Sequence, residues 1–256
     1  MADTVSPPTG GLGDAGAIPL VDWRERALFL DFDGTLAPLV DRPEDARPSG
    51  DTLALLDRLA HATQGAIAIV SGRALDDLAQ RVGPLPLALS GSHGLEIRLA
   101  DGRALPPAQG EGGLDAAFAD LKPLADEAGL LIEDKPGSVA LHYRNRPEDA
   151  DHFRQQVAQV AARHDLRLLH GHMVSEAALR GIDKGAALRR LMQEPAFAGR
   201  RPVMIGDDTT DEDGFRAAQA MGGFGLRIGD VETAARHRVA RLGDALSWLG
   251  RTIDAG

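Results

Sequence analysis

Five short apolar runs punctuate the chain: Ala27–Leu30, Ala66–Val70, Leu87–Ser90, Pro202–Ile205 and Gly225–Ile228. Their apolar character is continuous rather than alternating, which predicts strands buried on both faces, as in a parallel sheet. Segments with helical spacing lie between and after them: Asp51–His61, Ala74–Val82, Asp183–Gln193, Asp211–Met221 and Asp244–Thr252. The first carries Leu53, Leu55, Leu56 and Leu59, with Ser49 or Asp51 as its cap. A proline-containing loop, Ala37–Ser49, precedes it. Strands alternating with helices predict an α/β fold: a Rossmann-like parallel sheet with right-handed crossovers.

The pattern breaks in the middle of the chain. Leu95–Leu99 and Arg103–Leu105 flank Asp101-Gly102, a hairpin signal. The Gly/Pro-rich link Pro106–Gly113 leads to a helical stretch, Leu114–Ala128, expected to be disturbed at Pro123. Two strands follow, Leu130–Glu133 and Val139–Tyr143, around Pro136-Gly137. A helix, Glu148–His164, precedes two more, Leu166–His170 and Met173–Ala177, around Gly171. This αββαββ block predicts an inserted α+β cap over residues 106–180, with the α/β core made of 20–105 and 181–256. Residues 1–19, rich in Gly, Pro, Thr and Asp, are expected to be a disordered tail rather than a signal peptide. No repeat of solenoid length occurs.

Composition narrows the function. A net charge of −10 argues against a general binder of nucleic acid or anionic membrane, although a metal and a few cations can still invert the field around an anionic substrate. The chain has no cysteine, so disulfides, thiolate metal sites and thiol catalysis are excluded. No apolar run approaches the roughly 18 residues that span a bilayer. A cytoplasmic enzyme is the expectation.

The chemistry gathers where strands end. Asp31 and Asp33, two apart on an extended chain, point the same way, and Gly34 permits a sharp turn. Two close carboxylates repel unless a cation or proton lies between them, and oxygen ligands suit Mg²⁺. Ser71-Gly72 ends the second strand, Asp207, Asp208 and Asp211 follow a later one, and Lys184 opens a helix. Together they describe a phosphoryl-transfer site. Asp31 is the candidate nucleophile and Asp33 the acid/base. Asp31, the Asp33 carbonyl and Asp207 are the candidate metal ligands. Ser71, Lys184 and the backbone of Gly34 and Gly72 are candidates to hold the phosphate.

The ordered set D-F-D-G-T-L, S-G, K-G and G-D-D-T-T-D resembles the haloacid-dehalogenase-type phosphatases with a large cap. Ser71-Gly72-Arg73, Gly91–Glu96 and Glu133–Arg144 are similar to the trehalose-6-phosphate phosphatases among them. The resemblance implies Mg²⁺-dependent hydrolysis of trehalose 6-phosphate through an aspartyl-phosphate, with Thr35, Asp208 and Asp211 supporting the site. It further implies sugar contacts from the cap residues Glu133, Lys135 and Glu176, and it makes Arg73, His93, His142 and Arg144 substrate-binding candidates. A trehalose-phosphate synthase is the implied partner. The chain departs from the pattern at Gly171–Leu179, which keeps Gly171 and Glu176 but has His172 in place of a lysine and lacks the Arg and Pro. Another capped sugar phosphatase, acting on sucrose phosphate or a glycosyl-phosphoglycerate, therefore stays open, as does a catalytically inactive sugar-phosphate sensor.

Overall fold

The computed structural model describes residues 18–254 apart from 41, 111 and 172. The expected tail over 1–19 falls almost wholly outside that range, and so does His172. The apolar runs form the strands β1 (Arg26–Leu30), β2 (Ile67–Val70), β3 (Ala88–Gly91), β9 (Arg201–Gly206) and β10 (Phe224–Ile228). With β4 (Glu96–Arg98) and β11 (His237–Val239) they make one seven-stranded sheet in the order β11-β10-β9-β1-β2-β3-β4. Every pairing in it is parallel except β3–β4. The central position of β1 puts Asp31 mid-sheet, where its N–H donates to the Ile205 carbonyl at 2.9 Å.

Alternation along β1 feeds two cores. Leu28 and Leu30 pack on the side of α1 (Gly50–Ala62), α2 (Leu75–Val82) and α7 (Leu242–Asp254). Ala27 and Phe29 pack on the side of α5 (Lys184–Leu191) and α6 (Glu212–Ala220). The helices thus cover both faces, giving an α/β/α sandwich whose polar groups collect at the carboxyl ends of the strands. Ser49 caps α1 by accepting from the Thr52 N–H at 3.1 Å. Among the described residues no helix is long and apolar enough to cross a membrane.

The inserted block builds a separate antiparallel sheet from β5 (Leu131–Lys135), β6 (Ser138–His142), β7 (Arg167–Gly171) and β8 (Val174–Ala178), in the order β5-β6-β8-β7. One face packs on α3 (Leu114–Ala128) and α4 (Ala150–Arg163) through its own cluster, which includes Leu121, Val139, Tyr143, Phe153 and Val157. This layer is the cap.

Three details differ from the sequence reading. The helix α3 runs through Pro123 without a break. Proline removes one hydrogen bond, but burial of Ala117, Leu121 and Ala125 on the same side outweighs that loss. Arg103–Leu105 forms no strand, only a single bridge between Arg98 and Ala104, while β4 joins the edge of the core sheet. The acidic segment after β9 starts as a 3₁₀ turn, Thr209–Asp211, before α6 begins.

Candidate active site

The core half of the site is a buried cluster at the ends of β1 and β9. The Lys184 ammonium, at the first turn of α5, donates to Asp31 at 2.6 Å and to Asp211 at 2.7 Å. Its position is fixed by Asp183, whose carboxylate caps α5 by accepting from the Ala186 N–H at 2.7 Å. Asp31, Asp207 and Asp211 each present a carboxylate oxygen within 4.8 Å of the others. Burial and then the Asp211 carboxylate push the Asp31 carboxyl well above its usual range, against the pull of Lys184. The same two causes raise Asp207 to about 6. Burial alone would lower the Lys184 ammonium, but Asp211 and Asp31 hold it above its ordinary value.

Three carboxylates therefore share one ammonium in a buried place, and Asp207 Oδ1 is buried without a hydrogen-bond partner among the described residues. That is a shell of hard oxygen donors short of positive charge, and it fits a small divalent cation. Asp33 lies apart from these three carboxylates, and its expected share in the metal set was its carbonyl. Its carboxylate is gripped through both oxygens by Arg73, at 2.7 and 2.6 Å. Arg73 also donates to Asp77 at 2.9 Å and lies over the Phe32 ring. Arg73, expected to bind substrate, is engaged on the core side by Asp33.

The remaining core candidates take distinct places. Thr35 is buried, and its Oγ1 has no hydrogen-bond partner among the described residues. Asp208 caps the 3₁₀ turn in a reciprocal box with Asp211, its side chain accepting from the Thr209 N–H at 2.7 Å. The N–H of Gly34, expected to meet phosphate, instead donates to the Ala37 carbonyl at 2.8 Å. Glycine is needed there all the same: with φ at +76°, a Cβ would come within 1.9 Å of the Asp207 carboxylate. Ser71 is buried at the end of β2 and accepts from the Arg73 N–H at 3.2 Å. Gly72 does not open a helix, since α2 starts at Leu75, but it gives room for the His93 ring, whose atoms would lie 2.6 Å from any Cβ.

His93 has a left-handed backbone, φ +56°, after Ser92 at +48°. Burial and then the Lys184 ammonium depress its pKa to about 4, so the imidazole is neutral at pH 7. Its ring nitrogens make no hydrogen bond to another described residue. Strained, half-buried and polar, it stands between the core cluster and the cap.

Strand register sets out the cap half. Glu133 pairs across to Ala140, Ala140 to Glu176, and Glu176 to Leu169. Side chains at these positions and two residues to either side share one face, opposite the one on α3 and α4. On it Lys135 donates to Glu176 at 2.8 Å, Ser138 Oγ contacts Glu176 at 3.1 Å, and His142 contacts Glu133 at 3.0 Å. Burial would raise the Glu176 carboxyl, but the Lys135 ammonium overrides it and holds Glu176 below its usual range. Arg144, just past β6, is exposed.

The two halves meet in a narrow cleft lined by His93, Lys184 and Thr210 from the core and by Arg167 and Leu169 from the cap. The sequence reading did not single out Arg167, Ser138 or Thr210. Arg167 and Leu169 could have been found by stepping two residues at a time from the Gly171 turn onto the face that holds Glu176.

Comparison with known proteins gives the family. The model of the trehalose-phosphatase family matches residues 29–244. The chain belongs to that family. A probable trehalose-phosphate phosphatase from Sinorhizobium fredii is 40% identical over 210 residues, covering 79% of this chain and 77% of the relative. The trehalose-6-phosphate phosphatase of Escherichia coli is 36% identical over 230 residues, covering 87% and 85%. A solved phosphatase of the haloalkanoate superfamily from Bacteroides thetaiotaomicron covers 95% of this chain and 100% of its own, with a TM-score of 0.66 at 15% identity. That likeness is one of fold. Within the trehalose-phosphatase family, the buried lysine–carboxylate cluster and the charged cap face are the features of this chain that call for a chemical account.

Proposed function

We propose that this member of the trehalose-phosphatase family hydrolyses trehalose 6-phosphate to trehalose and phosphate. The core is 20–105 with 181–256, and 106–180 is a cap that closes over the sugar. One observation carries the reading: a carboxylate cluster organised by a buried lysine faces, across a cleft, a cap surface of hydrogen-bonded Glu and Lys side chains. The first half suits a phosphoryl group, and the second suits sugar hydroxyls, which carboxylates and ammoniums bind directionally.

In this mechanism an Asp31 carboxylate oxygen attacks phosphorus, the bond from phosphorus to the sugar oxygen breaks, and Asp33 gives that oxygen its proton. Water then attacks the aspartyl-phosphate, Asp33 takes the water's proton, and the Asp31–phosphorus bond breaks to release phosphate. Arg73 holds Asp33 by both oxygens between these transfers. Lys184 keeps Asp31 oriented and offers its charge to the transferred group, with Ser71 as a second donor. Asp31, Asp207, Asp211 and the Asp33 carbonyl would hold Mg²⁺, which supplies charge neutralisation at the phosphoryl oxygens. Glu133, Lys135 and Glu176 would grip the glucose ring remote from the phosphate, with His93 and His142 beside them. A trehalose-phosphate synthase supplies the substrate under this reading, in the cytoplasm.

The test is phosphate release from trehalose 6-phosphate beside glucose 6-phosphate and sucrose 6-phosphate, with and without Mg²⁺. Strong, metal-dependent preference for the first is expected, and Asp31→Asn should abolish it. The departure at Gly171–Leu179 gives a second reading its footing: metal-dependent activity on another sugar phosphate would keep the core chemistry and reassign the cap.

A further inference from the structure

Cap and core are joined by ion pairs that converge on one side chain. Arg167 projects from β7, on the cap face that carries Leu169 and lies beside Glu176. Its guanidinium donates to Asp213, at the start of α6, and lies 3.8 Å from Asp183. Those two partners are not arbitrary surface acids. Asp183 is the cap residue of α5 and immediately precedes Lys184. Asp213 follows the acidic turn that holds Asp211 by two residues. One guanidinium therefore touches both elements that aim the lysine and the carboxylates, and it does so from the sheet that carries Lys135 and Glu176.

We infer that Arg167 is a positioning residue: it docks the cap face over the cluster so that both halves of the cleft meet the substrate at once. This rests on the proposed two-sided reading of the site. The pair is about one-third exposed on either side, 31% for Arg167 and 28% for Asp213, so water and salt weaken it without abolishing it. That strength suits a contact that must break and reform in each cycle. Arginine is suited to the task because its rigid planar fork carries donors on more than one edge, so one group can face Asp213 and Asp183 from separate helices. Asp213 keeps a second, exposed partner in Arg216 at 3.6 Å, so losing Arg167 leaves no buried carboxylate stranded.

The test uses Arg167→Gln, Asp213→Asn and the double variant in the full chain. Each is assayed on trehalose 6-phosphate and on p-nitrophenyl phosphate, which has no remote sugar for the cap to hold. The expected result is a rise of about fivefold in KM for the sugar phosphate, as the loss of a pair worth up to ~1 kcal/mol gives. The loss on the aryl phosphate should be smaller than that on the sugar phosphate, the double variant should be no worse than either single one, and Arg167→Lys should recover part of the loss. A readout without substrate separates this idea from the assigned activity. Because the chain lacks cysteine, spin labels at Gln80→Cys on α2 and Glu127→Cys on α3 report the core-to-cap distance directly. Arg167→Gln should lengthen and broaden that distance whatever the substrate proves to be. An unchanged distance, or equal and additive losses on both substrates, would overturn the positioning role. Lengthened distances in a protein inactive on trehalose 6-phosphate would instead uphold it and overturn the substrate.

Discussion

Two single positions show how tightly the site is specified. Gly34 has φ +76°, and a Cβ there would fall 1.9 Å from the Asp207 carboxylate. Gly34→Ala should therefore expel Asp207 from the cluster and lower metal-dependent turnover by about 100-fold, the scale of a misplacement of one ångström. The fold should lose no more than about 2 kcal/mol in urea unfolding, since the affected group is polar and peripheral to the apolar cores. Equal activity in the variant would mean that Asp207 is not needed where it lies. His93 makes a separate, pH-dependent prediction. Its folded pKa of about 4 lies below the free value of 6.5, because of burial first and Lys184 second. Between those pH values the unfolded chain binds more protons, so the stability conferred by the neutral ring is lost as pH falls from 6.5 to 4, by up to about 3 kcal/mol. Asp207, raised to about 6, acts in the opposite sense, contributing stability at low pH that is lost as pH rises through 6. Subtracting the stability curve of His93→Asn from that of the parent removes the Asp207 contribution. Asparagine tolerates the left-handed backbone and does not titrate. The difference should slope only in that window, and a flat difference would show that the ring is not held neutral.

At the scale of elements, α3 is the place where local propensity and tertiary packing disagree. Pro123 is exposed inside an unbroken helix, so Pro123→Ala restores a backbone hydrogen bond without touching the cap's core. A gain of about 1 kcal/mol or more is expected in urea unfolding, after the added freedom of the unfolded chain is discounted. No gain would mean that the helix has already relaxed around the ring. The proline is a local signal, whereas the buried stripe at Ala117, Leu121 and Ala125 that keeps the helix whole comes from tertiary packing. Elsewhere the fold was readable wherever burial on two sides makes a strand continuously apolar, as in β1, β2 and β9. It was not readable in β11, whose His237-Arg238-Val239 has no such run and becomes a strand only by pairing with β10. The site divides in the same way. Asp31, Lys184 and Asp207 announce themselves by motif and order along the chain. Arg73 gripping Asp33 across 40 residues, and Arg167 reaching from one sheet to the helices of another, depend on three-dimensional packing that no local pattern encodes.

Among the described residues the apolar core falls into three clusters, and their separation bears on how the molecule works. Two lie on either side of the seven-stranded sheet, while the third draws only on residues between Leu114 and Leu179. The cap and core touch through polar contacts such as the pair from Arg167 to Asp213 and the hydrogen bond from the Ala108 N–H to the Leu95 carbonyl at 2.9 Å, and through the Leu95 side chain against the Gly137 turn. The pocket between Lys184 and Arg167 offers about 10 Å³, room for one water molecule. A phosphorylated disaccharide needs a few hundred. Such a molecule does not fit that pocket, so the cap is expected to lift for substrate to enter and product to leave. A body that lifts repeatedly without unravelling must hold its own fold when its contacts to the core are broken. The fragment 106–180 should accordingly fold alone, with a cooperative urea transition followed by far-UV circular dichroism and a stability of about 4 kcal/mol, the low end for its size. A gradual, non-cooperative loss of signal would mean that the cap owes its structure to the core. Opening would then require partial unfolding rather than rigid movement, and Arg167 would be holding the cap together as well as holding it down.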